Sequence, residues 1–336
     1  MKKIVRTLCL IAMVVLVATS CKKEEEKTSI TVAFDEITGF EAGPSDGSKA
    51  WIDVFHGSVF KWNDGDEVAF YNLSKSDYLE STCTVLTAVS GSEGKTRTQF
   101  TGANVGAMKD GYFAFYHPDK ANGAKSGKLQ GSGNRETFTI SATQDYNPDY
   151  MIDKKSLVMA CEAESQGVFS LQHIFGILNI GIRHNGTDTK KVEYITVKDD
   201  VKYLAGDVNL KLDGVDAEEL NSMIGYLEEG NNGAYQAAFA SYVINTLGYN
   251  ATGQSQTITL NCNNVALNGG GAYRYFFISL RPGALYNGFI VTIHYEGGAT
   301  QSHHFDASAD YLIKPGQFRN IYARSDGKWY LNGAWK

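Results

Sequence analysis

Val168-Phe169-Ser170-Leu171-Gln172-His173-Ile174-Phe175-Gly176-Ile177-Leu178-Asn179-Ile180-Gly181-Ile182 is the strongest apolar segment of the chain after its N-terminal leader. Phe169, Leu171, His173, Phe175 and Ile177 alternate with Val168, Ile174, Leu178, Ile180 and Ile182. Successive side chains of a strand point to opposite faces, so a run apolar on both faces predicts one long strand buried on two sides. Gly176 reads as a bulge or a close approach within it. His173, in so apolar a strand, reads as a core histidine rather than a catalytic one.

Strand signals continue on either side. Ser29–Phe34 alternates, with Ile30, Val32 and Phe34 on one face. Asp64-Gly65 is a tight-turn signal between Val59-Phe60 and Glu67–Tyr71. Tyr112–Tyr116 and Phe138–Ile140 are short extended runs, separated by a Gly/Lys/Ser loop over Ala121–Asn134. Val192–Val197, Leu204–Leu212, Thr257–Leu260, Tyr273–Leu280, Phe289–Tyr295 and Phe318–Ala323 follow as strands. Ser325-Asp326-Gly327-Lys328 then turns the chain into a final hairpin at Trp329-Tyr330-Leu331. One helix is expected, an insertion in which Asp216 and Glu219 cap the spacing Leu220, Met223, Ile224 and Leu227 before Gly230. Short strands with turns every roughly 8 to 12 residues indicate β-sandwiches. No repeat with a period of roughly 20 to 50 residues supports a solenoid or propeller.

The N-terminus has the layout of a secretory signal. Lys2, Lys3 and Arg6 precede the apolar run Leu8–Ala18, and Ala18-Thr19-Ser20 leads into Cys21. The run is shorter than the roughly 20 residues a final membrane anchor needs. A cysteine after a small-residue cleavage site resembles the bacterial lipobox, so Cys21 is expected to carry lipid once residues 1–20 are removed. Two or more acyl chains hold stably in a membrane where one does not. Residues 21–27, Cys-Lys-Lys-Glu-Glu-Glu-Lys, hold no apolar group after the cysteine and read as a solvated tether. Their acid-rich character resembles the export signal that sends some lipoproteins to the outer leaflet. The expected location is the outer membrane, lipid-anchored and surface-exposed.

The chain has 336 residues, and its leader carries three of the 31 basic residues and none of the 37 acidic ones. The mature formal charge is therefore 28 − 37 = −9, with no basic stripe, which argues against nucleic acid as a partner. The 35 glycines, 19 tyrosines and 17 phenylalanines suit strands joined by tight turns. Cys83, Cys161 and Cys262 remain after processing; they have no zinc spacing and read mainly as small buried hydrophobes, with one disulfide the alternative.

Residues for catalysis are sparse. No nucleophile elbow, zinc-protease helix, P-loop or dinucleotide fingerprint is present, so the chain reads as a non-enzyme with no cofactor. His303-His304 beside Asp306 and Asp310 is the one cluster resembling a metal site, yet neighbours in a strand face opposite ways, so no metal is assigned there. Asp64 and Asp66 lack the spacing of a calcium loop. Glu162 and Glu164, a pair of the kind that hydrolyses glycosides, sit in a polar run and read as linker.

Four pieces together resemble the fimbrillin family, the lipoprotein pilins and pilus-associated adhesins of Gram-negative anaerobes. They are Trp62-Asn63-Asp64-Gly65-Asp66-Glu67-Val68-Ala69-Phe70, Gln144 followed by Asp153–Ala160, Phe169–Leu178, and Leu312-Ile313-Lys314-Pro315-Gly316-Gln317. The resemblance implies two tandem transthyretin-like β-sandwich domains, 28–165 and 166–336. It also implies strand exchange with other fimbrial subunits, in which protease removal of the first strand (Ile30, Val32, Phe34) opens a groove that another subunit fills by β-augmentation. Phe318–Lys336 is then the candidate donor. Family pilins mature at an arginine, and the first after Cys21 is Arg97, in the polar stretch Lys95-Thr96-Arg97-Thr98 read as a loop. Its distance from the first strand favours a retained lipid, hence a pilus anchor, accessory subunit or standalone adhesin. The alternative is a glycan-binding lipoprotein of a polysaccharide-uptake system, with Trp51, Trp62, Trp329 and Trp335 as sugar platforms. Buried tryptophans would remove its main support.

Overall fold

β1 (Lys27–Phe34) pairs antiparallel with β4 (Arg97–Ala103) and parallel with β9 (Val168–His173), and those two ladders close a seven-stranded barrel. The other staves are β2 (Glu67–Leu73), β3 (Thr82–Ala88), β5 (Gly111–Tyr116) and β8 (Met159–Ala163), giving the order β1-β4-β3-β2-β5-β8-β9. The computed structural model describes residues 27–34, 62, 64–73, 82–93, 95, 97–107, 109, 111–116, 135–148, 152–153, 159–163, 168–173, 175–211, 254–267, 269–313, 318–331 and 334–335. The leader, Cys21, Trp51, the 121–134 loop and the expected helix of 216–230 lie outside them.

The barrel wall follows from alternation. Ile30, Val32, Val68, Phe70, Leu86, Phe100, Phe169 and Leu171 are buried in one core. Trp62 is fully buried there, edge-on to Phe100 at 4.8 Å and to Tyr116 at 5.1 Å. Such edge contacts add roughly 0.5–1.5 kcal/mol each beyond burial. Asp64-Gly65 forms the expected turn, with Gly65 at φ 77°, a conformation that costs glycine little.

The chain then leaves the barrel and returns. β6 (Arg135–Ile140) pairs only with β12 (Gly206–Lys211) in a two-stranded ribbon, and β7 (Thr143–Asp145) joins a sheet built from the C-terminal half. That sheet has the order β16-β15-β11-β13-β7, with β11 (Lys190–Asp199), β13 (Thr257–Leu267), β15 (Phe289–Tyr295) and β16 (Thr300–Phe305). Facing it is a second five-stranded sheet, β14-β10-β17-β18-β19, with β10 (Gly176–Arg183), β14 (Tyr273–Leu280), β17 (Phe318–Arg324), β18 (Trp329–Leu331) and β19 (Ala334–Trp335). A bulge between Val192 and Tyr194 in β11 faces Asn263 and Asn264, both at positive φ.

Every residue of β10 is buried, because its sheet has apolar neighbours on both faces. Leu178, Ile180 and Ile182 belong to the core between the two C-terminal sheets, whereas Ile177, Tyr275, Phe277, Phe318 and Tyr322 join the barrel core. At Gly181 a Cβ would come within 2.6 Å of the Tyr322 ring, so the ring lies directly on bare backbone.

The architecture is all-β, as expected, but three features differ from the sequence reading. The first unit is a closed barrel rather than an open sandwich, because β1 bonds on both edges. The segment 168–182 is two strands in different sheets rather than one, with Gly176 opening the second. The last barrel stave, β9, is thus followed directly by an inner strand of the next sheet, β10. The two halves are also interleaved: Ala69 and Tyr71, on alternate positions of β2, belong to the C-terminal core.

Candidate functional site

The site with most bearing on function is the first stave and its neighbours. β1 is zipped along Lys27–Ala33 to Ala103–Arg97 of β4, and over Thr31–Phe34 to Val168–Leu171 of β9. The β1–β9 seam is the one parallel ladder of the barrel among the described residues, and parallel pairing is slightly weaker per residue. Ile30 and Val32 point into the core at 3% and 0% exposure. The Phe34 side chain lies outside the described atoms. Withdrawing β1 would expose the inner edges of β4 and β9 and uncover Phe100 and Phe169, the residues opposite Ile30 and Val32.

Arg97 is exposed, but it opens β4 opposite Ala33 rather than lying in a loop. A cut after Arg97 would separate β1, β2 and β3 together from the remaining staves, not β1 alone. Proteases need an extended segment free of its ladder, so this bond is shielded while β1 and β4 are paired.

The other fragments carrying the resemblance each hold a long-range joint. The Asp64 carboxylate accepts the backbone N–H groups of Gly91 (3.0 Å), Ser92 (2.5 Å) and Glu93 (3.1 Å). The Gly91 and Ser92 bonds hold its pKa below the ordinary 3.8. A carboxylate with a depressed pKa stabilises the fold above its unfolded pKa, and that contribution disappears as pH falls through the folded value. Asp64→Asn should thus lower the melting temperature at pH 7, with the deficit shrinking as acid protonates the wild-type carboxyl. A deficit that is constant from pH 7 to acid would count against this role. Gln144 bonds β14, as detailed below, while Asp153 accepts the Asp145 N–H at 3.2 Å. Leu312 and Ile313 are buried, and the Ile313 carbonyl accepts the Gly283 N–H at 2.8 Å.

The histidine pair faces opposite ways. His303 stacks on Trp329 at 5.5 Å, and burial, ahead of the neighbouring His304 charge, pushes its pKa down. His304 contacts Asp200 at 2.8 Å and Asp306 at 3.3 Å, and the Asp200 hydrogen bond raises its pKa. Among the described residues no group of three or more His, Cys, Asp or Glu is placed to hold a metal. Cys83 is half-buried against the C-terminal core; Cys262 is a free thiol inside that core, and burial raises its pKa. The Cys161 and His173 side chains, Glu164 and the Glu162 side chain lie outside the described atoms. Trp62 and Trp329 are buried at 0% and 2% exposure, so neither is a sugar platform; the Trp335 side chain is not described.

One constellation had no signal in the sequence. His184 Nδ1 lies 2.6 Å from Ser325 Oγ, and its Nε2 lies 2.8 Å from Asp188 Oδ1. The residue types are those of a serine hydrolase, but there the acid holds Nδ1 and the serine faces Nε2. Here the roles are exchanged, Asp188 is 70% exposed, and its pKa is lowered chiefly by the His184 bond. Ser325 is pinned further, its N–H to the Arg183 carbonyl at 3.0 Å and its carbonyl to Lys190 Nζ at 2.9 Å. The group fastens the turn before β18 to the end of β10.

These features define an all-β protein in which a barrel and a two-sheet sandwich share a buried central sheet. A solved structure with this fold is a candidate cell adhesion protein from Bacteroides ovatus, with a TM-score of 0.52 at 9% identity over 94% of this chain and 95% of that one. A candidate cell adhesion protein from Bacteroides uniformis gives 0.49 at 14% identity over 94% and 99%. The tip fimbrial protein Mfa3 from Porphyromonas gingivalis, with C-terminal truncation, gives 0.38 at 9% identity over 93% and 97%. No protein-family model and no curated protein matches the sequence.

Proposed function

We propose that this chain is a lipid-anchored cell-surface adhesion protein of the fimbrial type, tethered to the outer membrane through Cys21. The observation that carries the reading is the position of β1. It begins at Lys27, at the end of the charged tether, and is built into the barrel on both edges. A lipid at Cys21 would thus be joined to a folded stave through a few solvated residues. The fold shared with the Bacteroides ovatus protein supports the adhesion role. The placement of Arg97 inside a ladder supports retention of the lipid and hence an anchor or standalone adhesin.

Strand exchange is the second part of the proposal. If β1 is withdrawn, the groove between β4 and β9 offers two free edges and two buried aromatic positions to an incoming strand, with main-chain bonds for affinity and side-chain pockets for register. The donor narrows from Phe318–Lys336 to its last part. β17 is paired with β10 along its whole length, whereas β18 touches β17 only at Tyr330–Tyr322 and Trp329–Ala323.

Cell fractionation tests the anchor. The wild-type protein should sediment with outer membranes and be cut by protease added to intact cells. The Cys21→Ala form should be unlipidated and leave the membrane fraction. A wild-type protein that stays soluble would overturn the reading.

A further inference from the structure

The chain path places two parallel ladders in series. In the barrel, β1 lies parallel to β9, the last stave, from Thr31–Val168 to Phe34–Leu171. In the sandwich, β10 lies parallel to β17, the last long strand, from Ile177–Phe318 to Arg183–Arg324. Only residues 174–175 lie between β9 and β10. Tension between the two ends of the chain therefore enters at β1, crosses the ladder to β9, passes into β10, and leaves at the end of β17. The third parallel ladder among the described residues, β7 with β13, lies off this route.

Direction decides what such a ladder resists. The span from Lys27 to the level of His173 is about 30 Å along the strands and about 4.8 Å across them. From Gly176 to the level of Arg324 it is about 23 Å along and again about 4.8 Å across. A pull between those points runs nearly parallel to the strands, so the bonds of a ladder are loaded together and must fail together. Antiparallel neighbours would put the two points side by side at one end, where bonds open one at a time. Each parallel bond is slightly weaker than an antiparallel one, so the resistance comes from geometry rather than from bond strength. β4 grips the other edge of β1 over Lys27–Ala33 and is sheared by the same pull.

The other covalent connections out of the barrel and back are longer. Residues 117–134 join β5 to β6 and residues 146–158 join β7 to β8, so both hold slack when the 174–175 crossing is taut. Ile177, Phe277, Phe318 and Tyr322 are also buried in the barrel core, which keeps the second ladder seated on the first unit. We infer that β1–β9 and β10–β17 form a mechanical clamp that carries pulling force in shear from the N-terminal tether to the C-terminal end. The inference rests on the anchored-adhesion reading only for the source of the load, the drag on a cell held by its surface protein.

Optical-tweezers pulling on the purified, unlipidated chain tests the clamp. With one handle ahead of Cys21 and one at the C-terminus, the β18–β19 hairpin, held by two register pairs in each of its ladders, should peel first at low force. The main rupture should then need a force several-fold higher than when the second handle is moved to Gly106. That exposed glycine lies just past Ala103, the partner of Lys27, so the second geometry opens the β1–β4 ladder from one end. Ala107, also exposed, is the attachment point if a tag at Gly106 lowers the melting temperature. Forced unfolding follows the barrier rather than equilibrium stability, so one protein should give two forces. Equal rupture forces in the two geometries, or opening of both units at the low force, would overturn the inference. The measurement uses no membrane, so a weak clamp leaves the lipid anchor standing, and a failed fractionation leaves the clamp measurable.

Discussion

Asp199→Ala should lower the free energy of unfolding by about 3 kcal/mol, measured by urea denaturation. Asp199 ends β11 and is fully buried. Its Oδ1 accepts the N–H groups of Val201 at 2.8 Å and Lys202 at 2.6 Å, closing the turn after the strand. Its Oδ2 accepts the Leu285 N–H at 2.7 Å, from a residue at φ 68° with no exposed surface. The two turn donors can turn to water when the carboxylate is lost, because Val201 is 55% exposed. The Leu285 donor has no such recourse, and an unsatisfied buried N–H costs about 1–3 kcal/mol. An asparagine side chain keeps one acceptor oxygen, so Asp199→Asn should lose about half as much if that oxygen faces Leu285. A loss under about 1 kcal/mol for alanine would show that the loop relaxes around the gap.

Gln144→Ala should cost about 2–4 kcal/mol. β14 is an edge strand, and at Ser279 its outward backbone groups meet an amide instead of a neighbouring strand. Gln144 Nε2 donates to the Ser279 carbonyl at 2.9 Å, and Gln144 Oε1 accepts the Ser279 N–H at 3.0 Å. Both residues are fully buried, so the side chain does the work of one residue of a missing strand and ties the two C-terminal sheets together. Gln144→Leu, which fills the space without the bonds, should be nearly as unstable as alanine. Gln144→Glu should recover part of its stability on acidification, because only a protonated carboxyl offers a donor and an acceptor together. Equal stability of the leucine variant and the wild type would sink the argument.

The sequence was legible where local pattern and final environment agree. Tyr273–Leu280 and Phe289–Tyr295 have the expected bounds, because their alternation reflects one core face or two. The run 168–182 misled because two different strands meet end to end across the apolar pair Ile174-Phe175, with no turn residue before Gly176. β3 drew no expectation and the start of β4 read as a loop: Thr-Cys-Thr-Val-Leu-Thr-Ala and Arg-Thr-Gln-Phe-Thr-Gly-Ala bring few apolar residues to the barrel, chiefly Leu86 and Phe100. Barrel closure depends on β1 meeting β9 across the whole first unit, a long-range pairing with no local signature. Gln144 was visible as part of a resemblance, yet its partner is 135 residues away. The His184–Ser325 contact spans 141 residues and left no trace in spacing.

Anchored adhesion requires a mature polypeptide that begins at a lipidated Cys21 and keeps β1 as a stave of its own barrel. Mass spectrometry of the N-terminal peptide, from protein recovered from outer membranes, tests it most directly. Acylated Cys21 continuous with Lys27–Phe34 is the expected result. A mature N-terminus at Thr98, or at any residue beyond β1, would contradict it.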